Sequence, residues 1–163
     1  MNSYDKEPEP APTPDPVWLR LTSWCVYRER SVAELNRKMR ELEIEDAGDY
    51  LQKLLEHNFV NEKRFVEEYI RGKFKLKGWG RNKIRAGLRL AGVDGADIEA
   101  ALALHLDESE YQERLHRWVE KREKDWNWRK LLADRASLHR FLAGKGYEWA
   151  TIQEALKERE QGI

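Results

Sequence analysis

Apolar positions along this chain recur at helical spacing, with little β-branched alternation. Three stretches stack into a weak repeat: AELNRKMRELEIEDAGDYLQKLLE from Ala33, NKIRAGLRLAGVDGADIEAALAL from Asn82 and ASLHRFLAGKGYEWATIQEALKE from Ala136. Leu35, Ile84 and Leu138 fall in register, then Met39, Leu88 and Leu142, then Ile44, Val93 and Tyr147. Leu55, Leu102 and Leu156 close the pattern, provided the first copy carries an extra residue or two in its turn. Each copy predicts a helix with apolar side chains four apart, a turn, and a second amphipathic helix. A further helix precedes each copy, over about 17–29, 62–76 and 108–125. The copies start 49 and then 54 residues apart, a spacing that fits a repeat array.

Turn residues punctuate these helices at Asp46-Ala47-Gly48, Phe59-Val60-Asn61, Gly78-Trp79-Gly80, Gly92-Val93-Asp94-Gly95 and Gly144-Lys145-Gly146. All five prolines lie at positions 8, 10, 12, 14 and 16, and none follows. The chain is therefore expected to be all-α: three tandem three-helix repeats forming an elongated, curved array. Residues 1–16 read as a disordered, Pro-rich acidic tail, 17–60 as repeat 1, 61–105 as repeat 2 and 106–163 as repeat 3. Units this small bury little alone, so neighbours must stack.

Charge changes the picture in one place. The whole chain is neutral, with 30 Lys+Arg against 30 Asp+Glu. Residues 17–60 hold seven basic and eight acidic groups, and residues 106–163 hold twelve of each. Residues 61–105 hold ten basic and six acidic groups, so the middle repeat is clearly positive. Eight of its ten basic groups form one cluster, Arg71, Lys73, Lys75, Lys77, Arg81, Lys83, Arg85 and Arg89, with no acid between Glu68 and Asp94. On a helix from Arg81 to Ala91, Ile84, Leu88 and Ala91 form the buried face. Arg81, Arg85 and Arg89 line up beside it, repelling one another by a few tenths of a kcal/mol per pair. A stripe without acidic relief makes sense opposite an anionic surface: nucleic-acid phosphate or an acidic protein face. The plainer alternative is a solvated basic face with no partner. Six phosphate contacts would give a salt slope of roughly −5. No pattern for reading base sequence stands out. Trp79, at the tip of the turn, reads either as a stacking or pocket-filling residue or as a cover on the inter-helix core. Trp18, Trp24 and Trp118 fall on apolar faces and are expected in the core. Trp126 and Trp128 stay undecided between closing a gap in repeat 3 and forming an exposed contact.

Three segments carry a family resemblance: RERSVAELNRKM in repeat 1, NFVNEKRFVEEYIRGKFKLKGWGRNKIRAGLRLAGV in repeat 2 and LHRFLAGKGYEWATIQEAL in repeat 3. The ordered set resembles the RecX family, bacterial regulators of the RecA recombinase. The matching positions are Arg28, Ser31, Glu34-Leu35 and Lys38-Met39 in repeat 1. In repeat 2 they are Phe65, Tyr69, Arg71, Lys77-Gly78, Ile84, Leu88 and Gly92-Val93, and in repeat 3 Arg140-Phe141-Leu142 and Gly146-Tyr147. The likeness runs over about 18–157. It departs from the family pattern at Asn61-Glu62, which still suits a helix cap, and at Val66, Arg81 and Lys83. The resemblance implies a partner, the RecA nucleoprotein filament. It also implies an activity: lying in the filament groove and suppressing ATP hydrolysis and strand exchange in recombination and the DNA-damage (SOS) response. The eight clustered basic residues of repeat 2, Arg71 to Arg89, are the first candidates for contact with DNA or the filament. Arg28, Lys38, Trp79, Arg140 and Lys145 are a second tier. Single- and double-stranded DNA would be bound without sequence specificity. The rival reading is an autonomous helical DNA-binding protein.

Other chemistry finds little support. His57, His105, His116 and His139 are scattered, with no pair four apart and no nearby cysteine, so no metal or cofactor is expected. The lone Cys25 sits in SWCVY and reads as buried; one cysteine allows no internal disulfide. The segment GWGRNK lacks the Gly-Lys-Ser/Thr ending of a phosphate loop and any preceding strand. No secretory leader or membrane span is legible. A non-enzymatic, cytoplasmic, monomeric regulator is the expectation.

Overall fold

A computed structural model describes residues 15–125, 127 and 129–162. The tail as far as residue 14, Trp126 and Trp128 lie outside the described residues. Helices account for the chain in order: α1 Pro16–Tyr27, α2 Val32–Glu41, α3 Ala47–Glu56, α4 Glu62–Lys77, α5 Arg81–Leu90, α6 Gly95–His105, α7 Glu108–Arg122, α8 Leu132–Lys145 and α9 Trp149–Gln161. No strand occurs among the described residues. The all-α class and the three tandem three-helix repeats follow from this order and from the packing. Helices α4, α5 and α6 contact one another pairwise, as do α7, α8 and α9. Among the described residues no helix is long and apolar enough to cross a membrane.

Local signals explain the helix starts. Asp15, grouped above with the tail, accepts hydrogen bonds from the Val17 and Trp18 amides, and Pro16 takes the first helical position. Proline suits that position because it has no amide hydrogen to leave unpaired. Ser31 and Glu34 form a reciprocal capping box on α2. Asn61, Asp94 and Asp107 cap α4, α6 and α7 through their side chains. Gly78 and Gly146 end α4 and α8 in the left-handed region, at φ 63° and 98°.

The repeat register is largely reproduced in the core. Leu35, Ile84, Leu138, Leu88 and Leu142 are fully buried, and Met39 nearly so. Leu102 and Leu156 are buried as well, but Leu55 is 43% exposed and Leu54 is the buried residue of α3. The first turn therefore carries one extra residue rather than two. The tryptophans also depart from expectation. Trp18, Trp24 and Trp118 are half-buried on the margins of the cores, not inside them. Trp24 lies under the Arg30 guanidinium at 3.9 Å, and the Trp118 indole donates to the Gly78 carbonyl at 3.1 Å. An indole needs a partner for its N–H, which the margin supplies and an aliphatic core does not.

Among the described residues two cores result, not three. Repeat 1 closes around Leu21, Cys25, Leu35, Met39, Leu54 and Val60. Repeats 2 and 3 share one continuous core that runs from Phe65 to Leu156. The joint between repeats 1 and 2 is mainly polar. Ser31 donates to the Ala91 carbonyl at 2.6 Å, the Val32 amide to Glu62 at 2.8 Å, and Arg64 to Glu29 at 2.5 Å.

A candidate basic interface at the joint of two repeats

The Gly78-Trp79-Gly80 turn inside the basic stretch is a clasp between repeats 2 and 3. The Gly80 amide donates to the Lys145 carbonyl at 2.8 Å, and the Asn82 amide to the Gly146 carbonyl at 2.9 Å. A Cβ on Gly80 would overlap the Gly146 backbone, so only glycine permits this approach. Beneath the clasp lies Tyr111, fully buried. Its hydroxyl accepts from the Arg81 amide at 3.0 Å and donates to Glu148 at 2.6 Å. Burial, then the Glu148 bond, pushes the Tyr111 pKa far up, so the phenol stays protonated and keeps its donor.

The eight clustered basic residues of repeat 2 divide into two sets. Arg71 pairs with Glu68, Lys75 with Glu110 at 4.0 Å, Arg81 with Glu108 at 2.5 Å and Glu148 at 3.7 Å, and Arg85 with Glu99 at 2.5 Å. The expectation of an arginine stripe without acidic relief therefore fails at Arg81 and Arg85. The acids come from α6, α7 and the start of α9, remote in sequence but adjacent in the fold. Hydrogen bonding to Arg85 holds Glu99 below the usual carboxylate range, and bonding to Arg81 and then Gln112 does the same for Glu108. Lys73, Lys77, Lys83 and Arg89 make no ion pair among the described residues.

Two of the unpaired lysines bracket an indole. The Lys73 and Lys83 ammonium groups lie 4.9 and 4.7 Å from the Trp79 ring centroid. Trp79 is half-buried and packs against the shared core. It positions two cations through its ring electrons and covers the core. Lys145 belongs to the same patch: its ammonium lies 4.2 Å from the Trp118 ring, with Lys121 at 5.5 Å from that ring. Burial, then the charges of Lys83, Arg122 and Lys121, lower the Lys145 pKa. Like charges that crowd one another favour an incoming anion. Lys121 and Trp118 were not expected here. They come from α7, whose own charges are balanced in sequence, so no local signal marks them.

The remaining second-tier residues stand apart from this patch. Arg28 forks onto Glu34 at 2.8 and 3.3 Å, Lys38 pairs with Glu41 at 3.3 Å, and exposed Arg140 donates to Ser137 at 3.2 Å. Cys25 is 5% exposed, and burial raises its thiol pKa.

The chain is similar to known proteins. A family model described as "RecX, second three-helix domain" matches residues 61–102. The regulatory protein RecX of Pseudomonas putida (strain GB-1) is 31% identical over 154 residues, covering 89% of this chain and 93% of that protein. The protein of the same name from Pseudomonas syringae pv. tomato is 30% identical over 163 residues, covering 92% and 97%. Against RecX of Bacillus mycoides (strain KBAB4) the identity is 27%, and the chain spans about half of that longer relative (53%). In structure, the crystal structure of RecX from Lactobacillus salivarius matches with a TM-score of 0.76 at 23% identity, covering 88% of this chain and 94% of that one. That last likeness concerns the fold.

Proposed function

The chain belongs to the RecX family of regulatory proteins, and from that premise we propose that it modulates, mainly by inhibition, the RecA recombinase filament. It would seat itself in the filament groove as a monomer in the bacterial cytoplasm, and suppress coupled ATP hydrolysis and strand exchange. The contact is made by the lysine patch at the joint of repeats 2 and 3, with Lys73, Lys83 and Lys145 facing phosphate. Arg81 and Arg85 act chiefly as struts, because their charges are already met by Glu108, Glu148 and Glu99. Arg71, Lys75, Lys77 and Arg89 are auxiliary contacts. The observation that carries this reading is the gathering of Lys73 and Lys83 on the Trp79 ring and of Lys145 and Lys121 on the Trp118 ring, a cluster of cations whose charge a phosphate would relieve.

The patch offers about four unpaired lysines, so binding to single-stranded DNA should follow salt with a slope of about −3, shallower than the full basic stretch would give. The deciding experiment is RecA ATPase on single-stranded DNA with and without this chain. Suppression that is lost in Lys83→Glu/Lys145→Glu, with helicity unchanged, supports the reading. Tight DNA binding with RecA's ATPase untouched would instead indicate an autonomous DNA-binding protein.

A further inference from the structure

A second surface adjoins the lysine patch on repeat 2, with Lys73 at the border between them, over Tyr69 on one side and Trp79 on the other. Between repeats 1 and 2 runs an open cleft of about 890 Å³. Its floor includes Tyr69, which packs across Gly87; a Cβ at Gly87 would overlap the Tyr69 hydroxyl. Leu76 and Leu90 line it while remaining 83% and 81% exposed. Two large aliphatic side chains held in water beside one concavity mark a surface that gains by being covered.

The charges around this cleft are not balanced. Its three acids are already engaged: Glu29 by Arg64, Glu34 by Arg28 and Glu68 by Arg71. Two of its cations, Arg37 and Lys77, have no acid partner among the described residues, and Lys73 stands at its border with the lysine patch. The cleft therefore offers a greasy wall and a surplus of positive charge. Phosphate alone would leave the leucines uncovered, and a neutral apolar segment would leave the cations unmet. We infer that this cleft docks an acidic, leucine-bearing segment of a partner protein, its aliphatic side chains on Leu76 and Leu90 and its carboxylates toward Arg37 and Lys77. The inference deepens the modulator reading by separating a protein-binding cleft from the phosphate-facing patch. It rests on that reading only for the presence of a protein partner.

The cleft is tested directly with a synthetic fourteen-residue peptide of Glu and Ala carrying two leucines four apart, followed by methyl NMR of the full chain. Leu76 and Leu90 signals should shift, with micromolar affinity that weakens about tenfold in Leu76→Ser/Leu90→Ser. Arg37→Glu should weaken it comparably. Both leucines and Arg37 are exposed, so folding is unaffected, and unchanged amide spectra outside the cleft would verify this. A peptide with serine in place of leucine should bind more weakly, and a single-stranded oligonucleotide should shift the Lys83 and Lys145 amide signals instead. The inference is overturned if the leucine peptide produces no shifts, if the serine peptide binds equally well, or if the oligonucleotide perturbs Leu76 and Leu90 most strongly. In a parallel arm, the leucine variant should lose RecA inhibition while keeping DNA binding. If the parent chain has no effect on RecA, the function proposed above fails, yet the peptide result still decides the cleft.

Discussion

At Gly80 and Gly146 single atoms decide whether two repeats meet. A Cβ on Gly80 runs into the Gly146 backbone, which cannot yield as a flexible side chain would. Gly80→Ala should therefore cost about 1–3 kcal/mol, the range for overpacking a tight site. Gly146→Ala adds the left-handed penalty of about 1–2 kcal/mol to an overlap with Lys83. Gly144→Ala is the control. It lies in helix α8 with open space around it, and alanine there should stabilise by about 0.5–1 kcal/mol. Urea denaturation of the three variants measures all of this. Lys145 makes a second prediction at this scale. Its folded pKa lies below the ordinary value of 10.5, so between those two pH values the unfolded chain binds more protons. Stability should rise with pH across that window, just under 10.5. Lys145→Gln should remove this rise and leave the chain slightly more heat-stable at neutral pH, but it should weaken DNA binding. Thermal melts across pH, paired with anisotropy, separate the two effects. Both glycines were legible as turn residues. Their contact with each other was not, because 66 residues of chain separate them.

Helix α5 was placed correctly by its apolar spacing, from Arg81 to the neighbourhood of Leu90. Ile84 and Leu88 are buried as that spacing requires. The electrostatic setting of the helix was not legible. Glu99, Glu108 and Glu148 lie 14, 27 and 67 residues beyond their arginine partners Arg85, Arg81 and Arg81. A local count of acids therefore found none. Exposed pairs of this kind are worth about 0–1 kcal/mol, so removing the acids should leave the fold intact. Glu99→Gln and Glu108→Gln then free Arg85 and loosen Arg81. Each freed arginine should steepen the salt slope of single-stranded DNA binding by about 0.7. A titration of binding against salt measures the change. If the slope stays constant in both variants, α5 does not face phosphate even when its charge is available.

Over the whole molecule the apolar register exposed three copies but concealed how they divide into cores. Leu35, Ile84 and Leu138 occupy equivalent places, yet the first belongs to one core and the other two share another. The difference lies in the joints. Repeat 1 meets repeat 2 through Ser31, Glu62, Arg64 and Glu29, while the Gly80 clasp and Tyr111 fuse repeats 2 and 3. Repeat 1 should therefore open as its own cooperative unit. In native-state hydrogen exchange, α1 to α3 should exchange at a lower denaturant concentration than α4 to α9. Arg64→Ala should widen the gap. A single shared transition would contradict the two-core account. The clasp also has a consequence for sequence variation. Its two hydrogen bonds run between backbone atoms alone, so beyond glycine at 80 and 146 they ask little of the side chains displayed around them. Residues 73, 83, 121 and 145 can drift in identity without loosening the seam on which they stand. A chain with other side chains at those four positions would keep the same scaffold while its affinity for an anionic target changed.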